Sequence, residues 1–403
     1  MLVAGAGVAG LETMLGLRAL AGDRVQITLV APELKFVNHS TSVAHTFAPP
    51  RACGVRIENI MVALGARWHR GLVDRVEHHH RRVITRDDAA LPYDILVLAL
   101  GARPDRDWSS NDVLTFHGGS DAPDYGLLLH RLEEGRVKKV AFVKPAGPSW
   151  PLPLYDLALM TAAHCAARGC PGAELSLITP EEEPLAIFGK TASDAVREIL
   201  QNAGIALHTN SHAAPPRLGS LAITPGDRRM NIDRVITVPR LAGPRLRGVP
   251  CDRDGFLRAD AHGRLPDLDG VFAVGDSTTF PIKQGGLAAQ QADAAAEAIA
   301  ASTGVRQDPE PFQPILRGVL LTGGPPRYLR ADISGAAGDD SAISQHALWW
   351  PPVKLATRYL APFLSRQVGD AAVVPHDEHA LAGEATLEAL ASDEYRSQIV
   401  AIS

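Results

Sequence analysis

Three glycines near the start of the chain have the spacing of a phosphate-binding turn. Gly5, Gly7 and Gly10 follow a short apolar run at residues 2–4 and precede a helix-prone stretch. The first glycine permits the tight bend, the second lets backbone N–H groups approach a diphosphate, and the third lets the helix pack on the strand. The helix dipole adds attraction for phosphates. We include Val8 and Ala9, which lie between these glycines, in the predicted binding turn.

An acidic residue completes the pattern. Glu33 lies 23 positions after Gly10, just beyond the second predicted strand at residues 24–30. A carboxylate there can accept hydrogen bonds from both ribose hydroxyls of a dinucleotide. The strand, the helix and the acid together predict a dinucleotide-binding βαβ unit. The alternative is a glycine turn followed by an unrelated surface glutamate.

Predicted strands and helices alternate along the rest of the chain. A second strand, turn and helix begin at residue 137, and a short strand at 271–276 precedes a helix from about residue 286 to 302. This alternation predicts an α/β fold with two Rossmann-like dinucleotide-binding domains and mostly parallel sheets. We place the first domain at residues 1–115 and 240–310, the second at 116–239, and a C-terminal interface or cap segment with a tail at 311–403.

Composition narrows the class of protein. The chain is 46% hydrophobic and 21% charged with a formal net charge of -5, which is typical of a globular protein and predicts no nucleic-acid partner. Four cysteines without metal-ligand spacing predict a reducing cytoplasm and no metal site. We expect no secretory leader. Because no apolar run is long enough to cross a bilayer, we expect any membrane contact to be peripheral.

Two later segments resemble motifs of FAD-dependent disulfide-reductase-like enzymes. Residues 98–104, which include Gly101, resemble the ATG-type motif at the end of a strand. Residues 271–277, which include Gly275 and Asp276, resemble the G-D motif. In that superfamily the aspartate contacts the ribityl chain of FAD, a role that the resemblance assigns to Asp276. The cofactor that the resemblance implies is FAD.

Within this superfamily the chain resembles sulfide:quinone oxidoreductases, flavocytochrome c sulfide dehydrogenases and type II NADH dehydrogenases. The likeness lies in residues 184–189, 281–286 and 290–291. It places Lys283 and Gln284 near the pyrimidine end of the isoalloxazine or near a quinone pocket. There a cation or an amide can stabilise negative charge on the reduced flavin. The alternative is a lysine at a helix start that is exposed to water.

The second strand, turn and helix lack the glycine fingerprint. Residues 143–155 contain one glycine, and bulky Trp150 and several prolines replace the others. Since prolines have no backbone N–H group to donate, we do not expect this turn to bind the diphosphate of NAD(P)H in the conventional way. Sulfide oxidation is not expected either, because it needs two thiols beside the flavin and Trp150 occupies this region. We interpret Cys165 and Cys170 as small buried apolar residues.

Three further features have weaker interpretations. His39 lies near the position where some sulfide dehydrogenases attach FAD covalently, and we expect it to pack or to form a hydrogen bond instead. His78, His79 and His80 are expected in a solvated hairpin, since neighbouring side chains on a strand point to opposite faces and cannot share a metal. Residues 349–364 form a predicted amphipathic helical stripe that either touches a membrane surface, packs on a partner subunit or caps the flavin. The stripe consists of Leu355, Ala356, Tyr359, Leu360 and Phe363.

These observations favour an FAD-dependent oxidoreductase that passes electrons from a small reductant to a quinone-like or other organic acceptor. Lys283 and Trp150 are the candidate catalytic residues. One alternative is an NAD(P)H-dependent enzyme with an atypical nucleotide loop, and another is a binding protein that keeps the fold and FAD without turnover. A homodimer and peripheral membrane contact are compatible with the resemblance.

Overall fold

The computed structural model describes residues 1–48, 54–105, 108, 110–305, 308–334 and 341–368. Cys53 and the tail from residue 376 lie outside the described residues. The α-helices of the described part are α1 (Val8–Ala21), α2 (Ser42–Thr46), α3 (Ile57–Leu64), α4 (Ala122–Glu133), α5 (Leu152–Arg168), α6 (Lys190–Asn202), α7 (Gly285–Ser302) and α8 (Leu360–Val368). Its strands are β1 (Leu2–Ala4), β2 (Thr28–Val30), β3 (Lys35–Phe36), β4 (Val55–Arg56), β5 (Arg67–His69), β6 (Val73–Glu77), β7 (Arg82–Thr85), β8 (Ala90–Pro92), β9 (Leu96–Leu98), β10 (Arg103–Asp105), β11 (Val113–Thr115), β12 (Lys139–Val143), β13 (Glu174–Ile178), β14 (Ala206–His208), β15 (His212–Ala213), β16 (Ser220–Thr224), β17 (Arg228–Asn231), β18 (Arg234–Thr237), β19 (Arg240–Ala242), β20 (Val271–Ala273), β21 (Ile315–Leu320), β22 (Arg327–Asp332) and β23 (Ser341–Ser344).

The N-terminal strand is the centre of a parallel sheet. The strand order is β20-β9-β1-β2-β5, and Val3 pairs with Leu29 on one side and Val97 on the other. β1, β9 and β20 are buried along their whole lengths, as expected for a parallel sheet covered on both faces. α1 follows β1 directly and packs against α7. The sheet therefore joins residues from both ends of the first 300 positions into one core.

A second parallel sheet has the order β11-β18-β12-β13-β14. α5 connects β12 to β13 and α6 connects β13 to β14, which is the alternation that the sequence predicts. The antiparallel pair β10 and β19 stands where the chain passes between the two sheets. The α/β class with two Rossmann-like units is confirmed. We keep the domain boundaries as a proposal and note that β11, which ends at residue 115, pairs in the second sheet.

The C-terminal part packs on both units. The antiparallel sheet β21-β22-β23 places Leu316, Leu320 and Leu329 in the hydrophobic core of the second unit. α8 places Leu360 and Phe363 in the core of the first unit, beside α1. This segment therefore bridges the two units.

The predicted helical stripe over residues 349–364 is wrong in its first part. Residues 353–359 form bends, and α8 begins only at Leu360. The reason is a tertiary cap, because the buried carboxylate of Glu12 accepts hydrogen bonds from the backbone N–H groups of Tyr359 and Leu360, at 2.8 and 2.6 Å. The start of α8 is thus set by a residue of α1.

The three consecutive histidines lie in a hairpin, as predicted, but not on a strand. His78, His79 and His80 form a 3₁₀ turn between β6 and β7, and Arg81 leaves it with φ +45°. Within the described part of the chain, no helix is both long enough and apolar enough to span a bilayer.

Candidate functional site

Two of the three glycines of the N-terminal turn are required by packing. A β-carbon at Gly10 would lie 2.0 Å from the carbonyl oxygen of Gly5. A β-carbon at Gly5 would lie 2.3 Å from the carbonyl oxygen of Ala99, and Gly5 has φ +110°. α1 therefore approaches β1 and β9 as closely as it does only because these side chains are absent.

The third glycine faces open space. Gly7 is the N-cap of α1, and a β-carbon at Gly7 would meet no atom within 4 Å. The first turn of α1 contains no acidic residue and no side chain caps it, so its N–H groups are left for a ligand at the positive end of the helix dipole. This arrangement fits a bound diphosphate.

A cavity of about 600 Å³ extends from this turn. The predicted cofactor residues that line it are Gly7, Val8, Glu33, Asp276, Lys283 and Gln284. Gly5, Ala9, Gly10, Gly101 and Gly275 are not among the lining residues. Trp150 and His39, from the other predictions, also line the cavity. The structure thus brings together residues that are up to 277 positions apart in the sequence, from Gly7 to Gln284.

Glu33 presents its carboxylate to the cavity. It follows β2 and is exposed, and it has no hydrogen-bond partner among the described residues. A free carboxylate beside the helix N-terminus has the position and the acceptor atoms needed to bind ribose hydroxyls. This part of the site fits the adenosine half of FAD.

Asp276 and Lys283 line the cavity from the segment that precedes α7. Burial raises the pKa of Asp276 to about 6, and the nearby Lys283 opposes this rise. Burial lowers the pKa of Lys283 to about 8, and Asp276 opposes this fall. Lys283 is 3% exposed, so the alternative of a lysine exposed to water is wrong. Its Nζ donates to the carbonyl oxygen of Thr278 at 2.5 Å and lies 3.9 Å from the centre of the Phe256 ring.

Gln284 holds the adjacent helix start. Its Oε1 accepts a hydrogen bond from the N–H of Leu287 at 2.8 Å, which caps α7. Its Nε2 donates to the carbonyl oxygen of Arg317 at 3.3 Å. Gln284 therefore ties the start of α7 to β21.

The charged residues of the cavity that the sequence did not predict include Asp156, Lys354 and Arg317. Asp156 of α5 forms a buried ion pair with Lys354, and its Oδ1 accepts from the N–H of Leu321 at 2.7 Å. Arg317 of β21 also lines the cavity. Nothing local marks Asp156, because its partners come from distant segments. Nothing local marks Arg317 either, because its side chain has no partner among the described residues.

In the second strand, turn and helix, the protein's own side chains occupy the space beside the turn. Tyr155 of α5 is fully buried, and its hydroxyl donates to Glu181 Oε2 at 2.9 Å. Thr179 donates to the same oxygen at 2.7 Å. Glu181 follows β13 as Glu33 follows β2, but its carboxylate is turned inward and burial raises its pKa. Trp150 packs against Phe188 with ring centroids 6.2 Å apart.

The thiols lie away from the cavity. Cys165 and Cys170 stand at the C-terminal end of α5, about 20 Å from its N-terminus at 1.5 Å per residue. Both are half-buried, and Cys251 is exposed. Of the described cysteines, none lines the cavity.

Residues 157–299 match the family model of pyridine nucleotide-disulphide oxidoreductases. The chain fits this superfamily. The match spans most of the second unit and the segment in which the chain returns to the first unit. No curated protein matches the chain in sequence.

Solved structures of the superfamily share the fold. The sulfide:quinone oxidoreductase of Aquifex aeolicus superposes with a TM-score of 0.78 at 18% identity, over 85% of this chain and 86% of that one. A ferredoxin reductase of Rhodopseudomonas palustris gives 0.63 at 18% identity, over 83% and 82%. NDH2 of Plasmodium falciparum, in complex with NADH, gives 0.57 at 17% identity, over 69% and 64%. The family match together with these folds supports an FAD-dependent oxidoreductase.

Proposed function

We propose that the chain passes electrons from a small reductant, through FAD, to a quinone-like or other organic acceptor. The observation that carries this proposal is the single cavity that joins the open helix start at Gly7 to the buried lysine at position 283. FAD, when bound, supplies the two-electron chemistry. The protein supplies binding, orientation and electrostatics.

Each wall of the cavity has a proposed role. The N–H groups of the turn around Gly7 and Val8 hold the diphosphate, and Glu33 holds the ribose. Asp276 faces the ribityl chain, as the resemblance implies. The close-packed positions that support this surface from behind are Gly5, Ala9, Gly10 and Gly275. Gly101, where a β-carbon would meet no atom within 4 Å, is proposed to contact the cofactor.

Lys283 and Trp150 are the proposed catalytic candidates. The buried ammonium of Lys283 places positive charge at the ring end of the site, where it favours negative charge on the cofactor. Gln284 offers an amide beside it. Trp150 forms an apolar part of the cavity wall and keeps water from that end.

The hydrogen-bonded group of Tyr155, Thr179 and Glu181 argues against a nicotinamide donor. A dinucleotide on the second unit would need an open carboxylate after β13, but Glu181 is used inside the protein. Sulfide as donor lacks support from thiols in the described part of the cavity. The rival hypothesis of an NAD(P)H donor gains support from the NDH2 structure, which was solved in complex with NADH.

Anaerobic stopped-flow mixing tests these hypotheses. The protein, purified with its flavin, is mixed in turn with NADH, NADPH and sulfide while flavin absorbance is followed, and dithionite serves as the control reductant. Of these four reductants, we expect only dithionite to bleach the flavin rapidly. Rapid bleaching by NADH or NADPH would contradict this proposal and favour the nicotinamide alternative. If organic reductants and acceptors screened in the same way also fail, the binding protein without turnover is favoured.

The location, oligomeric state and membrane contact of the protein are proposed separately. We propose a cytoplasmic homodimer with peripheral membrane contact for delivery of a quinone-like acceptor. The apolar face of α8 packs into the core of the first unit, so any membrane contact must use another surface. Flotation with liposomes and light scattering of the purified protein test these two points.

A further inference from the structure

One strand of the C-terminal sheet lines the cavity with a charged side chain. Successive side chains of a strand point to opposite faces, so β21 presents Arg317 and Val319 on one face and Leu316 and Leu320 on the other. Leu316 and Leu320 pack in the core of the second unit. Arg317 and Val319 line the cavity. The guanidinium of Arg317 is therefore part of the cavity wall.

The Arg317 guanidinium is uncompensated. It has no hydrogen bond or ion pair with any described residue, and its Nε is buried. Its partner across the antiparallel pair is Arg330. Burial, and then the charge of Arg330, lower the pKa of Arg317. Like charges directly opposite each other destabilise a sheet, and withdrawing a charge partly from water without a partner adds a further cost. An anionic ligand would remove both costs.

Two lysines of the cavity already have partners. Lys354 forms its ion pair with Asp156. Lys283 donates to the Thr278 carbonyl and is attracted by Asp276. A third lysine, Lys35, is exposed on β3, two positions after the proposed ribose ligand Glu33. The half-buried charge left for a ligand is therefore that of Arg317.

Arg317 belongs to the strand that meets the start of α7. Its carbonyl oxygen accepts from Gln284 Nε2. The diphosphate is assigned to the N–H groups of the turn at Gly7, and a β-carbon at Gly285 would lie 3.7 Å from Val8 of that turn. The flavin content of Arg317→Met therefore separates a role toward the cofactor from a role toward a second ligand.

We propose that Arg317 binds a carboxylate of the substrate, so that the substrate of this site is a small organic acid. A guanidinium donates two parallel hydrogen bonds to a carboxylate, which fixes both the position and the orientation of the bound molecule. The rest of the molecule then lies toward Lys283 and Gln284. This inference rests on the proposed function, because it assigns the molecule that shares the cavity with FAD.

Binding of benzoate and of its neutral analogue benzamide tests the inference. Both are titrated into the protein purified with its flavin, at constant ionic strength, and read from the flavin absorption spectrum and from the midpoint of thermal unfolding. We expect benzoate to bind more tightly than benzamide. Arg317→Met should weaken benzoate binding on the order of 10-fold or more and leave benzamide binding unchanged. Arg136→Met, at the exposed end of α4, is the matched control and should change neither.

Four results would overturn the inference. They are equal affinities of the wild-type protein for benzoate and benzamide, unchanged benzoate binding in Arg317→Met, a shift by sulfate as large as that by benzoate, and loss of flavin from Arg317→Met. The third would indicate a site for inorganic oxyanions, and the fourth would assign Arg317 to the cofactor. The wild-type comparison needs no variant to fold. Wild-type protein without flavin would contradict the proposed function instead, and thermal unfolding would still report benzoate binding.

Discussion

Tyr155 donates a hydrogen bond of 2.9 Å to Glu181 at the point where a second dinucleotide would need an open carboxylate. The same hydroxyl accepts from the N–H of Leu185 at 3.3 Å. The second Rossmann-like unit therefore uses its own side chains where its relatives in fold could hold a ligand. We propose that this contact serves folding rather than nucleotide binding.

Tyr155→Phe should lower stability without loss of flavin. The change leaves the N–H of Leu185 without its acceptor and removes one donor from Glu181, so the free energy of unfolding should fall by about 1 to 3 kcal/mol. Urea denaturation measures this change, and absorbance at the flavin band measures cofactor content. Tyr93→Phe should cost less, because the only hydrogen-bond partner of the Tyr93 hydroxyl among the described residues is His78. Loss of flavin at unchanged stability would show that Tyr155 serves the cofactor.

Glu33→Gln should weaken FAD binding. Two charge-assisted hydrogen bonds to ribose become weaker ones, so the Kd should rise on the order of 10- to 100-fold. Fluorescence titration of the apoprotein with FAD gives the Kd. The control is Glu174→Gln, which removes an exposed carboxylate paired with Lys139 at the start of β13. An unchanged Kd for Glu33→Gln would place the ribose elsewhere.

Gly7→Ala and Gly10→Ala form a matched pair in one turn. A methyl group at Gly10 would overlap the Gly5 carbonyl, so Gly10→Ala should express as unfolded or insoluble protein. A methyl group at Gly7 meets no protein atom, so Gly7→Ala should fold, with a far-UV circular dichroism spectrum like that of the wild type. It should nevertheless bind FAD poorly, since the methyl group would stand where the diphosphate lies. Normal flavin content in Gly7→Ala would contradict the assigned site.

Features that depend on residues close together in the sequence could be predicted from it, and features that depend on residues far apart could not. The turn at Gly5 to Gly10 and the acid at Glu33 are local patterns with a fixed spacing, so the first unit and one end of the cavity were predicted. The pair of Asp156 and Lys354 spans two segments with no shared pattern. The start of α8 depends on Glu12, nearly the whole described chain away, so local periodicity placed that helix too early. Arg317 is notable because its side chain has no partner among the described residues, which no sequence pattern shows.

Asp293 should make stability depend on pH. Burial, and then the nearby Glu12 carboxylate, raise its pKa to about 8. An unfolded aspartate titrates near pH 4, so between about pH 4 and pH 8 the folded state alone keeps the proton. Folding stability should therefore fall as pH rises through this range and level off above it.

Asp293→Asn should remove this dependence. The variant should match the wild type near pH 4 and become the more stable protein as pH rises toward 9. Urea denaturation at pH 5, 7 and 9 measures the difference. The control is Asp194→Asn on α6, which changes an exposed carboxylate paired with Lys190. A stability difference that is the same at every pH would mean that Asp293 is ionised throughout.

The measurement that tests the central claim most directly is the visible absorption spectrum of the purified protein, with identification of the flavin released on denaturation. We predict a yellow protein with one FAD per chain, released without a covalent link to His39. A colourless protein that does not take up added FAD would contradict the assignment of the cavity.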